Sequence, residues 1–426
     1  MKNRLLILVM MSALVGTLFA AGGQEGEGQP VTLSVVLHNT TLRGPFEDIF
    51  ALYKAKTGNT VEILTLAAGE DYGVMMQTRF ATNDYPDVFE MDPGTKQYIK
   101  LRAEETLYDW TNDPIIDRIT ESTREFQTLN GKIFGIPWGS TGNLGVYYNK
   151  DVFDAIGASV PQSWDELIEV AQDAKAAGYI PFYEAGKTGW PLQIFPLDGW
   201  TTYVDPVIGD EGVQALEVNE LRLNEIPAFR DVFVKFLELR DLGLDQDNLL
   251  AGDYEEQQEL FGTGKVAMVL QGHWFLTILI DKFGEDFARN SVGWFPLPAE
   301  DGPGTATLYA ASQFMVPKLA DNVETSAELV RFMTGPEALE IWYTANPGIA
   351  VYKGVTADLY PAQQVVQDFV DMGKAKVNVQ NRLSSSFIDF PQLLQQMFID
   401  GDVDNALDTL DENYRVTGEA RQLPGF

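Results

Sequence analysis

The chain contains no cysteine and only two histidines, His38 and His273, among its 426 residues. The first absence excludes disulfides, thiolate metal centres and a lipid-modified N-terminal cysteine. The second leaves little for histidine-based chemistry. No histidine pair has the i,i+4 spacing of a zinc-binding helix, and neither residue lies in a serine-elbow context. Positive charge is also scarce. Thirty Lys and Arg stand against 62 Asp and Glu, a formal charge of −32. Nucleic acid and anionic membrane surfaces demand a basic footprint, so neither is expected as a partner. The acidity accounts for solubility and carries no information about the charge of a ligand. A long hydrophobic run occurs at the start, from Leu5 to Phe19, and it is short for a bilayer span. Lys2 and Arg4 precede it and Ala20-Ala21-Gly22 follow, the pattern of a secretory signal peptide. Residues 1–22 are therefore expected to be a cleavable signal and 23–30, "GQEGEGQP", a flexible leader. The expected location is the periplasm, free of a lipid anchor. About 400 mature residues can bury a sufficient core without disulfides.

Several chemical motifs fail on inspection. "GTGKVA" (262–267) places Val266 where a phosphate loop needs Ser or Thr and has Glu259 where the first Gly belongs. It reads as a turn into a strand, Val266–Leu270. "DGDVDNALDTLD" (400–411) has Asp at four calcium-loop positions, but Asn405 replaces the required Gly and Asp411 the bidentate Glu. A helix start capped by Asp402 or Asp404 is the better reading. Tyr147 and Tyr148 are adjacent in a strand, so they point to opposite faces and do not form a ferric-ion pair. No catalytic residue, metal ligand or cofactor site emerges.

What the sequence does offer is tryptophan: eight residues in differing contexts. Trp110, Trp164 and Trp342 sit at or in helical patterns and are expected in the core, and the Ser163/Asp165/Glu166 setting of Trp164 marks a helix N-terminus. Trp294, in "VGWFPLP", suits either role. Trp138 ("IPWGSTG"), Trp190 ("KTGWPLQ"), Trp200 ("LDGWTTY") and Trp274 ("LQGHWF") lie beside Gly or Pro in loop-like stretches. Aromatic faces in loops at strand ends suit flat, apolar ligand faces with polar rims, which is the shape of a sugar. His38, Asn39, Thr40, Asp92, Glu184 and Gln271 could bond its hydroxyls.

The alternation of strand-like runs with amphipathic helices predicts α/β layers in two or three domains. With these stretches in view, the chain resembles the extracellular solute-binding proteins of ABC importers, family 1, sugar-binding type. "YPDVFEMDP" (85–93) resembles the family's Pro-Asp strand ending at the cleft. "NGKIFGIPWGSTGNLGVYYNKDVF" (130–153) resembles its Gly-Lys, strand, Pro, cleft and Tyr-Asn-Lys-Asp block. "VPQSWDELIEVAQDAKAAGYIPF" and "FGTGKVAMVLQGHW" follow in the family's order.

The resemblance implies an α/β, two-lobed type II periplasmic binding protein with its ligand cleft between the lobes. The expected first lobe is 31–137 plus 297–334, and the second 138–296 plus 335–426. Crossings are then expected at Pro137–Gly142, Val292–Pro298 and Met333–Pro336. It implies a stacking platform at Trp274, a hinge floor at Trp138, Ser140 and Thr141, and a cleft acid at Asp92. Similarity to maltose-binding relatives adds Glu184 and Trp190, the loop His38-Asn39-Thr40, and Phe387 in "LSSSFIDF"; Trp200 and Gln271 complete the expected set. Asn39-Thr40-Thr41 lacks the acid-plus-Lys pair of those relatives, which turns the expectation away from maltodextrin. The implied function is non-enzymatic: a monomer that binds a mono- to oligosaccharide, without a cofactor, and delivers it to a membrane permease. The alternatives are a secreted carbohydrate-active hydrolase, or a binder of a polyol, a sugar phosphate or ferric ion.

Overall fold

The computed structural model describes residues 29–426 apart from 39–40, 42, 67–69, 93, 95, 121–122, 125–126 and 356. The expected signal peptide and most of the leader therefore lie outside the described residues. In chain order the strands are β1 (Thr32–His38), β2 (Thr60–Leu66), β3 (Val88–Met91), β4 (Thr128–Leu129), β5 (Lys132–Ile133), β6 (Gly135–Pro137), β7 (Ser140–Asn149), β8 (Ile180–Phe182), β9 (Val266–Gly272), β10 (Val292–Phe295), β11 (Ala306–Tyr309), β12 (Gln313–Met315), β13 (Ile349–Ala350) and β14 (Ala375–Val377).

Two sheets divide them. The first runs β2-β1-β3-β12-β6 and the second β14-β11-β7-β9-β8, with β4 and β5 a separate hairpin. In the first sheet β1 lies parallel to both β2 and β3, while β12 is antiparallel to β3 and β6. Central strands covered on both faces need apolar residues throughout, and β3 and β9 are buried along their whole length. The helices begin where the sequence supplies caps. Ser163 accepts from the amide of Glu166 at 3.3 Å to open Trp164–Ala176. Asp402 accepts from the amide of Asn405 at 3.0 Å to open Val403–Ala420, which settles the calcium-like pattern as a helix start. Tyr147 is buried, with its hydroxyl near Asn143, while Tyr148 packs on the other face against Phe153 and Phe295.

Strand pairing shows where the chain changes sheet. It leaves the first sheet after β6 and enters the second at β7, within the expected Pro137–Gly142 stretch. The other two passages differ from expectation. Val292–Phe295 pairs with β7 and Leu297 lies in the second core, so Val292–Pro298 stays within the second lobe. The return comes between β11 and β12, at 310–312. Helices Val323–Met333 and Pro336–Ala345 both pack on the first core, so Met333–Pro336 is an ordinary helix–helix turn. The third passage runs from Asn346 to Tyr360. There β13 pairs with β7, Val351 and Tyr352 return to the first core, and Tyr360 enters the second. The expected bounds at 297 and 335 thus fall short of the observed changes of sheet by about a dozen residues each, on the order of one short element. The cause is the length of β7. Its ten residues pair with β9 on one edge and accept β10 and β11 in succession on the other, and its first two residues also pair with β13. An apolar run ending in "PLPAEDGPG" reads like an exit from the lobe but is a return to the same strand.

Candidate functional site

At the three passages the two sheets enclose a cleft of about 580 Å³. From the first lobe it is lined by Thr41, Glu90, Asp92, Trp138 and Trp342, and from the second by Asn143, His273, Trp274 and Tyr309.

Trp274 opens the helix Trp274–Phe283 immediately after β9. Its indole N–H donates to Gln271 Oε1 at 3.2 Å, and Gln271 Nε2 donates to Gln257 Oε1 at 2.8 Å, so a buried amide relay fixes the ring plane. Trp190 and Tyr309 stand edge-on to it, with centroids 5.8 and 6.0 Å away. Edge-on neighbours rigidify an indole without covering both faces. A Cβ at position 272 would lie 2.3 Å from this ring, so only glycine lets the indole fold back over the strand end.

Glu90 and Asp92 follow strand parity at the end of β3. Glu90 is buried and accepts from the amide of His38 at 3.0 Å and from the Thr41 hydroxyl at 2.8 Å. It therefore ties the segment after β1 to the cleft wall, in charge-assisted bonds. Asp92 offers its backbone carbonyl to Gln313 Nε2 at 2.9 Å. Burial, and then the Asp92 charge, push the Tyr309 phenol up to about 12, so it stays a neutral donor and acceptor. Burial lowers His273 to about 4, leaving a neutral imidazole whose Nδ1 has no hydrogen-bond partner. A Cβ at Gly142 would lie 2.1 Å from that nitrogen, which is why β7 carries glycine beside it. Among the described residues that line the cleft there are two carboxylates and no Lys or Arg.

The structure brings together Asp92, Trp138, Ser140, Thr141 and Trp274 of the expected set. Trp138 lines the cleft floor, yet its ring is buried among Phe46, Phe314 and Trp342, so it is chiefly a core residue of the first lobe. Asn39 and Thr40 lie outside the described residues. His38 stands behind the wall, buried and edge-on to Tyr72. Gln271 and Trp190 act one layer back, holding Trp274 from below and from the side. Three expectations need correction. Trp200 is fully buried in a π-helical turn of the second core, its N–H bonded to Asp205 at 3.0 Å, because "LDGWTTY" is helical and not a loop. Phe387 packs on Phe390 and Tyr414 in the same core. Glu184 is buried away from the cleft lining, its backbone clasped by the Gln246 amide at 2.9 and 2.6 Å. Burial, then the neighbouring Asp245 charge, raise its carboxyl well above the usual range. The acids of the cleft thus come from one lobe, not from two. Sequence reasoning missed Glu90, Asn143, His273, Tyr309 and Trp342; for Glu90 the signal was there, since it shares a strand face with Asp92.

Comparison with known proteins agrees with this arrangement. A multiple sugar-binding protein of Streptococcus mutans is 23% identical over 291 residues, covering 68% of each chain. An uncharacterized ABC transporter extracellular-binding protein of Pyrococcus horikoshii is 24% identical across 97% of this chain and 98% of its own. The solved structure of apo RafE from Streptococcus pneumoniae superposes with a TM-score of 0.76 at 21% identity, over 92% of this chain and 99% of that one. At such identity the likeness establishes the fold: two α/β lobes around a cleft. The model of the bacterial extracellular solute-binding protein family matches residues 39–340, and the chain belongs to that family.

Proposed function

We propose that the cleft captures an uncharged saccharide and presents it, by lobe closure, to the permease of an ABC importer. One observation carries this reading: the indole face of Trp274 and the carboxylates Glu90 and Asp92 meet in one cleft without a lining cation. An apolar ring face stacks on sugar C–H groups, and ionised acceptors take bonds from sugar hydroxyls. The same acids repel phosphate and carboxylate groups, which sets a phosphorylated sugar apart even though a relative from Yersinia enterocolitica, 27% identical over half of this chain, is an sn-glycerol-3-phosphate-binding protein. RafE, whose fold this chain shares, has been solved with raffinose.

Binding without chemistry is part of the proposal. A glycoside hydrolase needs one carboxylic acid kept protonated beside the bond it cleaves. Glu90 instead has its oxygens engaged as acceptors in the cleft wall, by the His38 amide and by the Thr41 hydroxyl that the two oxygens share. The protein acts as a periplasmic monomer, needing no cofactor, and no described helix is long and apolar enough to cross a membrane. Titration calorimetry with raffinose, melibiose, galactose and glycerol 3-phosphate, followed by product analysis, tests the reading. Saturable binding of a neutral sugar recovered intact supports it. Preference for the phosphate, or release of smaller sugars, overturns it.

A further inference from the structure

The packing of single residues locates the turning points of the passages. Trp138 belongs to the first core and Leu144 to the second; Ala311 belongs to the first core, while Ala310 packs on the second lobe; Ile349 lies in the second lobe and Val351 in the first. The three passages are bonded side by side there. The amide of Trp138 donates to the carbonyl of Ser312 at 2.7 Å, and Ser140 and Thr141 pair with Ala350 and Ile349.

Two buried tyrosines reach this row. The Tyr352 hydroxyl donates to the carbonyl of Pro137 at 2.7 Å, a bond wholly inside the first lobe. The Tyr343 hydroxyl, from the helix Pro336–Ala345, donates to the carbonyl of Gly139, and the same oxygen accepts from the amide of Val351 at 3.4 Å. A single oxygen thus bridges the first and third passages at the points where both change lobe. Rotation about these points changes the separation of Gly139 and Val351, so the bridge fits one lobe arrangement best. That arrangement has the lobes in contact elsewhere too: Lys96 Nζ of the first lobe lies 3.5 Å from the carbonyl of Gln380 in the second.

We propose that Tyr343 is a positioning residue that sets the balance between open and closed lobes, its hydroxyl favouring the closed form. Its consequence for affinity rests on the sugar-binding reading above, whereas its consequence for shape does not. A ligand that binds the closed form gains affinity when that form is more populated beforehand.

The chain has no cysteine, so labels can be placed at will. Ile99→Cys and Glu419→Cys, both exposed and on opposite lobes, carry spin labels for distance measurement in sugar-free protein. Tyr343→Phe should shift the distribution toward longer separations. With raffinose as the probe it should weaken binding about three- to tenfold, the value of one buried hydrogen bond, mainly through faster release. Tyr352→Phe removes the same group on one side of the pivot and should lower Tm while leaving the distances unchanged. Unchanged distances in Tyr343→Phe, or equal shifts in both variants, overturn the proposal. Longer distances without any raffinose binding to either protein leave the hinge role standing and remove the choice of sugar.

Discussion

Trp274 and Trp200 stand in similar sequence, each one or two residues after a glycine. One faces the cleft and the other is fully buried. The difference lies in where each indole N–H is satisfied. Trp200 bonds Asp205, which also pairs with Arg382, so a buried ion pair and the ring form one unit in the second core. Trp274 bonds a neutral amide behind it and leaves a face turned to the cleft. A tryptophan whose polar edge is anchored by a charge pair is structural, and one anchored by an amide at a strand end is free to present its face.

Removing each ring separates the two roles. Trp200→Ala should cost about 3–5 kcal/mol of stability, the range for a buried Trp truncated in a core, read as a lowered denaturation midpoint. Sugar affinity in whatever fraction remains folded should be unchanged. Trp274→Ala should instead weaken raffinose binding about five- to a hundredfold, roughly 1–3 kcal/mol of lost stacking and burial, with Tm nearly unaltered. Equal losses of stability in the two variants break the contrast.

A smaller effect distinguishes the acids. Asp92→Asn keeps an acceptor but loses the charge, and affinity should fall by about 0.5–1.5 kcal/mol in calorimetry. Glu184→Gln should leave affinity where it was. If Glu184→Gln weakens binding as much as Asp92→Asn, the cleft extends further into the second lobe than the lining residues imply.

The smallest expected effect is on pH dependence. Burial raises Asp245, beside Glu184, to about 7, with Arg240 pulling the other way. A carboxyl whose folded value is raised binds more protons in the folded state. Its contribution to stability is fully present below its unfolded value near 3.8 and is lost as pH rises through about 7. Asp245→Asn, neutral throughout, should escape that loss. Its Tm relative to wild type should therefore increase from pH 5 to pH 8, and a difference that is flat with pH refutes the buried pair as the cause.

Much of the arrangement was legible because backbone chemistry dictated it. Pro137 ends a strand and the glycines after it allow a change of direction, which located the first passage. Ser163 and Asp402 announced their helices. The Gly-His-Trp end of β9 marked the stacking platform, because a folded-back indole needs glycine two residues earlier. What stayed hidden depends on pairing between distant segments. Nothing local to Val292–Phe295 tells that it lies along the far half of β7, and nothing local to "LDGWTTY" reveals a helix whose tryptophan meets Asp205. Glu184 misled for a related reason: an acid next to aromatics resembles a sugar contact until Gln246, sixty-two positions away, is seen to clasp its backbone.

The burial of the tryptophans has an optical consequence. Trp110, Trp138, Trp164, Trp200, Trp294 and Trp342 are shielded from solvent, whereas Trp190 and Trp274 are half-buried and touch each other edge to face. The four shielded indoles away from the cleft, Trp110, Trp164, Trp200 and Trp294, emit as a constant blue background. A change in collisional quenching by iodide therefore originates in the half-buried pair, a change in emission colour in that pair or in Trp138 and Trp342 of the cleft lining, and the unmodified protein carries its own fluorescent gauge of occupancy.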